Sequence, residues 1–182
     1  MILLEKEGVQ RSMSHPNRVK FFKEAFYDST CIGVELGVAS GDFSAKLLED
    51  CPKMFLYSID AWNGDMGHDQ RQYISASDKL SKFYPRSFII KSFFSEACKM
   101  FPDYFFDFIY IDGYAHTGQN DGHTLDQWFP KLKKNGIFSG HDYHERWQAT
   151  IDQVNIFVRK HNQKLGVIED EPFPSWALQK HG

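Results

Sequence analysis

Several stretches of the chain carry residue types that can do chemistry, at spacings that suggest which chemistry. Glu35-Leu-Gly37-Val-Ala39-Ser40-Gly41 sets an acid two positions ahead of a turn of small residues, directly after the apolar run Cys31–Val34. Glycine lets the backbone approach a ligand, and a helix opening after such a turn presents unpaired N–H groups, so the stretch suits a nucleotide-sized ligand. Asp60 ends the apolar run Met54–Ile59 and stands about twenty residues beyond the glycines, where a carboxylate can accept both hydroxyls of a ribose. Ala61 and Trp62 follow it and are expected beside the same ligand. Further on, Asp112 closes the run Phe105–Ile111 with His116 shortly behind it, and His141-Asp142, then His144, close the run Ile137–Gly140. In an open α/β sheet reactive groups gather beyond the carboxyl ends of the strands, so these acids and imidazoles stand where chemistry would take place.

The nucleotide cradle is not the dinucleotide one. That fingerprint places glycine at the first, third and sixth positions of the turn, and those positions hold Gly37, Ala39 and Asp42. A nicotinamide-dependent oxidoreductase is therefore the weaker of the enzymatic readings. A non-catalytic cofactor-binding or interaction module is the alternative outside catalysis.

For these groups to meet, the apolar runs must be adjacent strands that end on one edge. The periodicities are consistent with that. A helix over 14–27 is expected from a cap at Ser14, Pro16 in its first turn and a stripe of Val19, Phe22 and Phe26, preceded by an irregular arm over 1–13. Strands follow at 31–36 and 54–60, with a helix at 42–51 between them that Pro52 stops. The turn-forming loop 63–69 is either a flap over the site or a connector, and a helix over 69–84 carries Tyr73, Ala76, Leu80 and Phe83. A strand at 87–91 leads to a short helix over 95–101, for which Ser95 is the expected N-cap. The strand ending in Asp112 is the most apolar run of the chain. A helix over 123–134 ended by Asn135-Gly136, a strand at 137–143, a helix from Trp147 to His161, and a closing hairpin of 165–168 and 176–179 complete the order. Alternating strands and helices imply an α/β fold: a Rossmann-like, doubly wound, seven-stranded, mostly parallel sheet with an antiparallel last strand and helices on both faces.

Bulk properties place the chain in a class. At 182 residues, with 42% hydrophobic and 16% aromatic residues, it is long and apolar enough for one full-sized core,. We expect a single domain over 1–182, in which 1–28 form an N-terminal arm and helix and 29–182 the core. A net charge of −3, with Lys and Arg scattered along the chain, argues against nucleic acid as a partner,. No apolar run reaches the ~20 residues of a membrane span, and the charged start of the chain does not read as a signal peptide. The expected location is cytoplasmic, with Cys31, Cys51 and Cys98 as reduced buried thiols. The aromatic surplus permits a homo-oligomer surface without locating one.

The turn from Glu35 to Gly41 resembles the first motif of class I S-adenosylmethionine-dependent methyltransferases, with Ala39 in place of the usual middle glycine. The later runs Tyr110-Ile-Asp-Gly113, Trp128-Phe-Pro-Lys-Leu-Lys-Lys-Asn-Gly136 and Gly140-His-Asp-Tyr143 resemble the small metal-linked O-methyltransferases of the catechol and macrocin (sugar) types. The likeness covers roughly 30–180. It implies S-adenosyl-L-methionine as cofactor, a small-molecule or sugar hydroxyl as acceptor, and adenine contacts from Ser95 and Glu96. It also implies a magnesium-like ion held by Asp112 and the pair His141-Asp142, although that pair is usually Asp-Asn or Asp-Asp. The lysine base of the catechol type falls on Ala115, which disfavours a catechol and leaves His116, His141 and His144 as candidate bases.

Overall fold

The computed structural model describes residues 10–13, 17–64, 67–113, 118–169 and 173–181, with the backbone alone described over 10–13. The strands are β1 (Gln10–Met13), β2 (Cys31–Leu36), β3 (Met54–Asp60), β4 (Ser87–Lys91), β5 (Phe106–Ile111), β6 (Leu132–Gly140), β7 (Gly166–Ile168) and β8 (Ser175–Gln179). They form one sheet in the order β1-β7-β8-β6-β5-β2-β3-β4. The seven expected strands are all present. β8 is antiparallel to both neighbours, β6 and β7, while β2, β3, β4, β5 and β6 run parallel. The expectation of an irregular arm is corrected in part: residues 10–13 add an eighth strand, parallel to β7. A strand that short owes its place to the open β7 edge and leaves no period in the sequence.

The helices are α1 (Arg18–Phe26), α2 (Asp42–Asp50), α3 (Gln70–Ser81), α4 (Phe94–Ala97), the left-handed turn α5 (Gly118–Asp121), α6 (His123–Trp128) and α7 (Gln148–Lys160). Alternation along β5 explains why they lie on two faces. Phe108 and Tyr110 point into one apolar layer with Phe21 and Phe22 of α1 and Phe43, Leu47 and Leu48 of α2. Ile109 and Ile111 point into the other, with Phe94 of α4, Leu125 and Trp128 of α6, and Val154 and Phe157 of α7, and Phe106 joins that layer from beyond the register shift that separates it from Phe108. Each of these five β5 side chains is 0% exposed, as expected of a central strand covered on both sides. Gly33 makes room within the first layer, since a Cβ there would lie 2.0 Å from the Phe108 ring.

Local boundaries differ from the expectations where tertiary packing decides. The helix expected over 123–134 stops at Trp128, because Phe129–Lys131 tighten into a 3₁₀ turn around Pro130 and the chain joins β6 at Leu132. Asn135 (φ +62°) and Gly136 therefore sit in an irregular stretch of β6 instead of closing a helix. Ser95 does not cap α4: the helix starts one residue earlier, with Phe93 at the N-cap and no side-chain cap hydrogen bond. Asn17 caps α1 by accepting from the Lys20 amide at 2.8 Å. The expected cap at Ser14 and Pro16 lies outside the described residues. The three cysteines are free and buried. Among the described residues no helix is long and apolar enough to cross a membrane.

Candidate active site

The site forms where β2, β3 and β5 end together. Leu36 is in register with Ile59 on one side and Ile111 on the other, so the next residues, Gly37, Asp60 (the last of β3) and Asp112, stand at one level of the sheet edge. Gly37 (φ +94°) turns the chain directly behind Asp112. A Cβ on it would lie 1.9 Å from the Asp112 carbonyl oxygen, so both conformation and space require glycine,. Its amide donates to the Ile59 carbonyl at 2.9 Å, and the Asp112 amide donates to Leu36 at 2.7 Å.

Asp60 is the hub of the first half of the site and is 4% exposed. Its Oδ2 accepts from the amides of Val38 (2.8 Å) and Ala39 (3.0 Å) and contacts His68 Nδ1 at 2.7 Å, while Oδ1 accepts from the Trp62 amide at 3.0 Å. Burial works against its charge, but His68 and the Ala39 and Trp62 amides prevail and hold the carboxyl below its usual range,. The Trp62 indole donates to the Ala39 carbonyl at 2.9 Å, so the tryptophan braces the turn from the side. Glu35, 2% exposed, behaves in the opposite way. Burial pushes its carboxyl up to about 8 despite the Ser44 hydroxyl that donates to it, and Ser44 in turn contacts Ser58 at 2.7 Å.

The second half is built from side chains. Asp112 Oδ1 lies 3.4 Å from His141 Nδ1, which lies 3.3 Å from Asp142 Oδ1. Arg18 of α1 reaches Asp112 Oδ2 at 3.0 Å and donates to the Tyr110 hydroxyl at 2.7 Å. The Asp112 side chain is 25% exposed. Burial opposes its charge too, but His141 and then Arg18 keep its carboxyl below the usual range. Asp142 takes a left-handed conformation (φ +59°), uncommon for a residue other than glycine and most tolerable for Asp and Asn. His144 Nδ1 accepts from the Arg146 amide at 3.1 Å, and its ring lies 5.4 Å from that of Phe173. One ligand atom each from Asp112, His141 and Asp142 falls within 4.8 Å of the others. Two carboxylates and an imidazole fit a divalent ion, with the imidazole favouring a transition metal over magnesium.

A family described as a methyltransferase domain matches residues 34–143, the span from within β2 to just past the His141-Asp142 pair that follows β6. The chain belongs to this methyltransferase family. Among solved structures the methyltransferase is similar in fold to an O-methyltransferase from Bacillus cereus in complex with SAH, at 12% identity and TM-score 0.69 over 91% of this chain and 82% of the other. An SAH-bound methyltransferase from Podospora anserina gives 12% identity and TM-score 0.70, covering 91% and 78%. A SAM-dependent O-methyltransferase from Thermotoga maritima gives 15% and 0.68, covering 93% and 67%. No curated protein matches the sequence.

Within the methyltransferase, the site residues expected from sequence fall into separate groups. Glu35 and Asp60 stand at the ends of β2 and β3, and Gly37, Ala39, Ser40, Gly41, Ala61 and Trp62 belong to the turns that follow those strands, while Asp112, His141 and Asp142 converge in the second half. Ser95 and Glu96 are exposed on α4, and Glu96 pairs with Lys99 at 2.9 Å. His116 lies outside the described residues. Sequence reasoning missed Arg18 and His68. Arg18 stands 94 positions from Asp112, and no spacing rule links them. His68 follows Asp60 in a turn-rich loop and offered only its residue type.

Proposed function

We propose that the protein is an S-adenosylmethionine-dependent O-methyltransferase acting on a small-molecule or sugar hydroxyl. The observation that carries this reading is the common level at which β2, β3 and β5 release the glycine turn, Asp60 and Asp112. The cofactor supplies a methyl group already activated on a sulfonium. Gly37, Ala39, Ser40 and Gly41 would give it a backbone cradle, with Asp60 toward its ribose, Ala61 and Trp62 toward its adenosine, and Ser95 and Glu96 toward the adenine. Asp112 stands between this cradle and the acceptor.

Transfer forms an acceptor O–C bond and breaks the S–C bond, leaving S-adenosylhomocysteine (SAH) and a proton to be taken up. Alignment of acceptor, methyl and sulfur can supply about 7–11 kcal/mol of the barrier. His141, His144 or His116 takes the proton, a contribution of about 10²–10⁴ in rate. Asp112, His141 and Asp142 would also hold a divalent ion, which lowers the pKa of a bound hydroxyl. Calorimetry should show SAH binding in the micromolar range, and labelled donor with pools of hydroxylated metabolites and sugars should yield a methylated product. Absence of SAH binding would overturn the reading.

A further inference from the structure

We propose that Arg18 is a resident counter-cation of Asp112 and sets the affinity of the Asp112–His141–Asp142 cluster for a divalent ion. The inference rests on the reading of that cluster given above and concerns a residue from outside it. Arg18 opens α1, whose first turn is secured by the Asn17 cap. Its guanidinium carbon lies 4.6 Å from the centre of the Phe43 ring and 5.6 Å from that of Tyr110. One nitrogen, Nη1, serves both the Tyr110 hydroxyl and Asp112 Oδ2. The side chain is 24% exposed, and although burial opposes its charge, Tyr110 and Asp112 keep it protonated. A planar, permanently charged group stacked on aromatic rings is a fixture of the site.

Two consequences follow for an ion. The two oxygens of Asp112 are already divided, Oδ2 toward Arg18 and Oδ1 toward His141, so the ion must share this carboxylate with the guanidinium. The charge offered by Asp112 and Asp142 is also partly cancelled before any ion arrives. At a largely buried site such repulsion is poorly screened by solvent or salt. The wild-type cluster should therefore hold divalent ions weakly, with its affinity limited by Arg18 and not by its ligands.

The test is a titration of the full chain with Mn²⁺ alone, followed by electron paramagnetic resonance and calorimetry, for wild type, Arg18→Gln, Arg18→Met and Arg18→Lys. Arg18→Met keeps an apolar stem over Phe43 and guards against a folding failure of Arg18→Gln, and thermal melts confirm that each variant is folded. We expect Mn²⁺ to bind at least tenfold more tightly to the folded neutral variants, Arg18→Lys to stay within about threefold of wild type, and a second substitution, Asp142→Asn, to abolish the gain. Equal or weaker binding in the neutral variants, or no Mn²⁺ binding in any of them, would overturn the proposal; so would a gain that survives Asp142→Asn. A lower melting temperature with unchanged ion affinity would make Arg18 an anchor for α1 only. SAH calorimetry on the same samples separates the two readings, since failure to bind SAH would sink the cofactor assignment and leave the Mn²⁺ result standing.

Discussion

The two halves of the site are made in different ways. Around Asp60 the partners are mostly backbone amides, those of Val38, Ala39 and Trp62, and the carboxylate is almost fully buried. Around Asp112 the partners are side chains from separate elements, Arg18 and His141, and a quarter of the carboxylate side chain is exposed. Backbone donors are fixed once strand register is fixed, so the first half can serve one unvarying ligand. Side chains from several elements can be exchanged singly without undoing the sheet, so under the proposed function the second half is where one fold would adapt to different acceptors. The contrast teaches that conservative and adaptable chemistry can share one edge of a sheet, provided they draw on different parts of the chain.

The comparison can be broken first at Gly37. Gly37→Val must push a side chain into the Asp112 carbonyl from a positive-φ position, and it should abolish measurable SAH binding and lower the melting temperature. SAH affinity near that of wild type would show that the turn is not the cradle. Asp60→Ala comes next: about a hundredfold loss of SAH affinity is expected by calorimetry, with roughly 1–3 kcal/mol of stability lost because buried amides lose their acceptor.

Glu35 tests burial without ligand. Its carboxyl titrates higher in the fold, at about 8, than its ordinary value of 4.5. The folded state therefore binds the extra proton between these values, and stability is full below about 4.5 and falls as pH rises through about 8,. Denaturant unfolding across pH 6–8 should show a loss on the order of 1–2 kcal/mol in wild type that is flattened in Glu35→Gln. Parallel profiles would contradict a buried, protonated Glu35. The smallest change should come from Asp142→Asn, which tolerates the left-handed backbone: about a tenfold drop in methyl transfer, with the SAH dissociation constant within about twofold of wild type. A larger effect on SAH would mean that the halves are not separable.

The first half was largely legible in the chain because its signals are local. A strand, an acid, small turn residues and a following helix stand within a few positions, and Asp60 marks the end of the next strand. Strand ends were legible for the same reason, since an apolar run followed by a polar residue shows where a buried strand meets solvent. Ser95 was misjudged because capping depends on where the helix begins, and packing of Phe94 against the sheet moved that start by one residue. The 123–134 helix was overextended because Pro130 and the pull of β6 pairing outweigh helical periodicity.

Sequence alone thus determined the layered α/β plan, the glycine turn and the carboxylates that close β3 and β5, because each depends on hydrophobic period or on backbone freedom at a single residue. Only the tertiary structure decided that Arg18 neutralises Asp112, that His68 rests on Asp60, and that β1 extends the sheet beside β7. Those contacts join residues far apart in the chain or in loops without a period, and the free energy that selects them comes from burial and charge pairing that exist only once the sheet and its helices have closed.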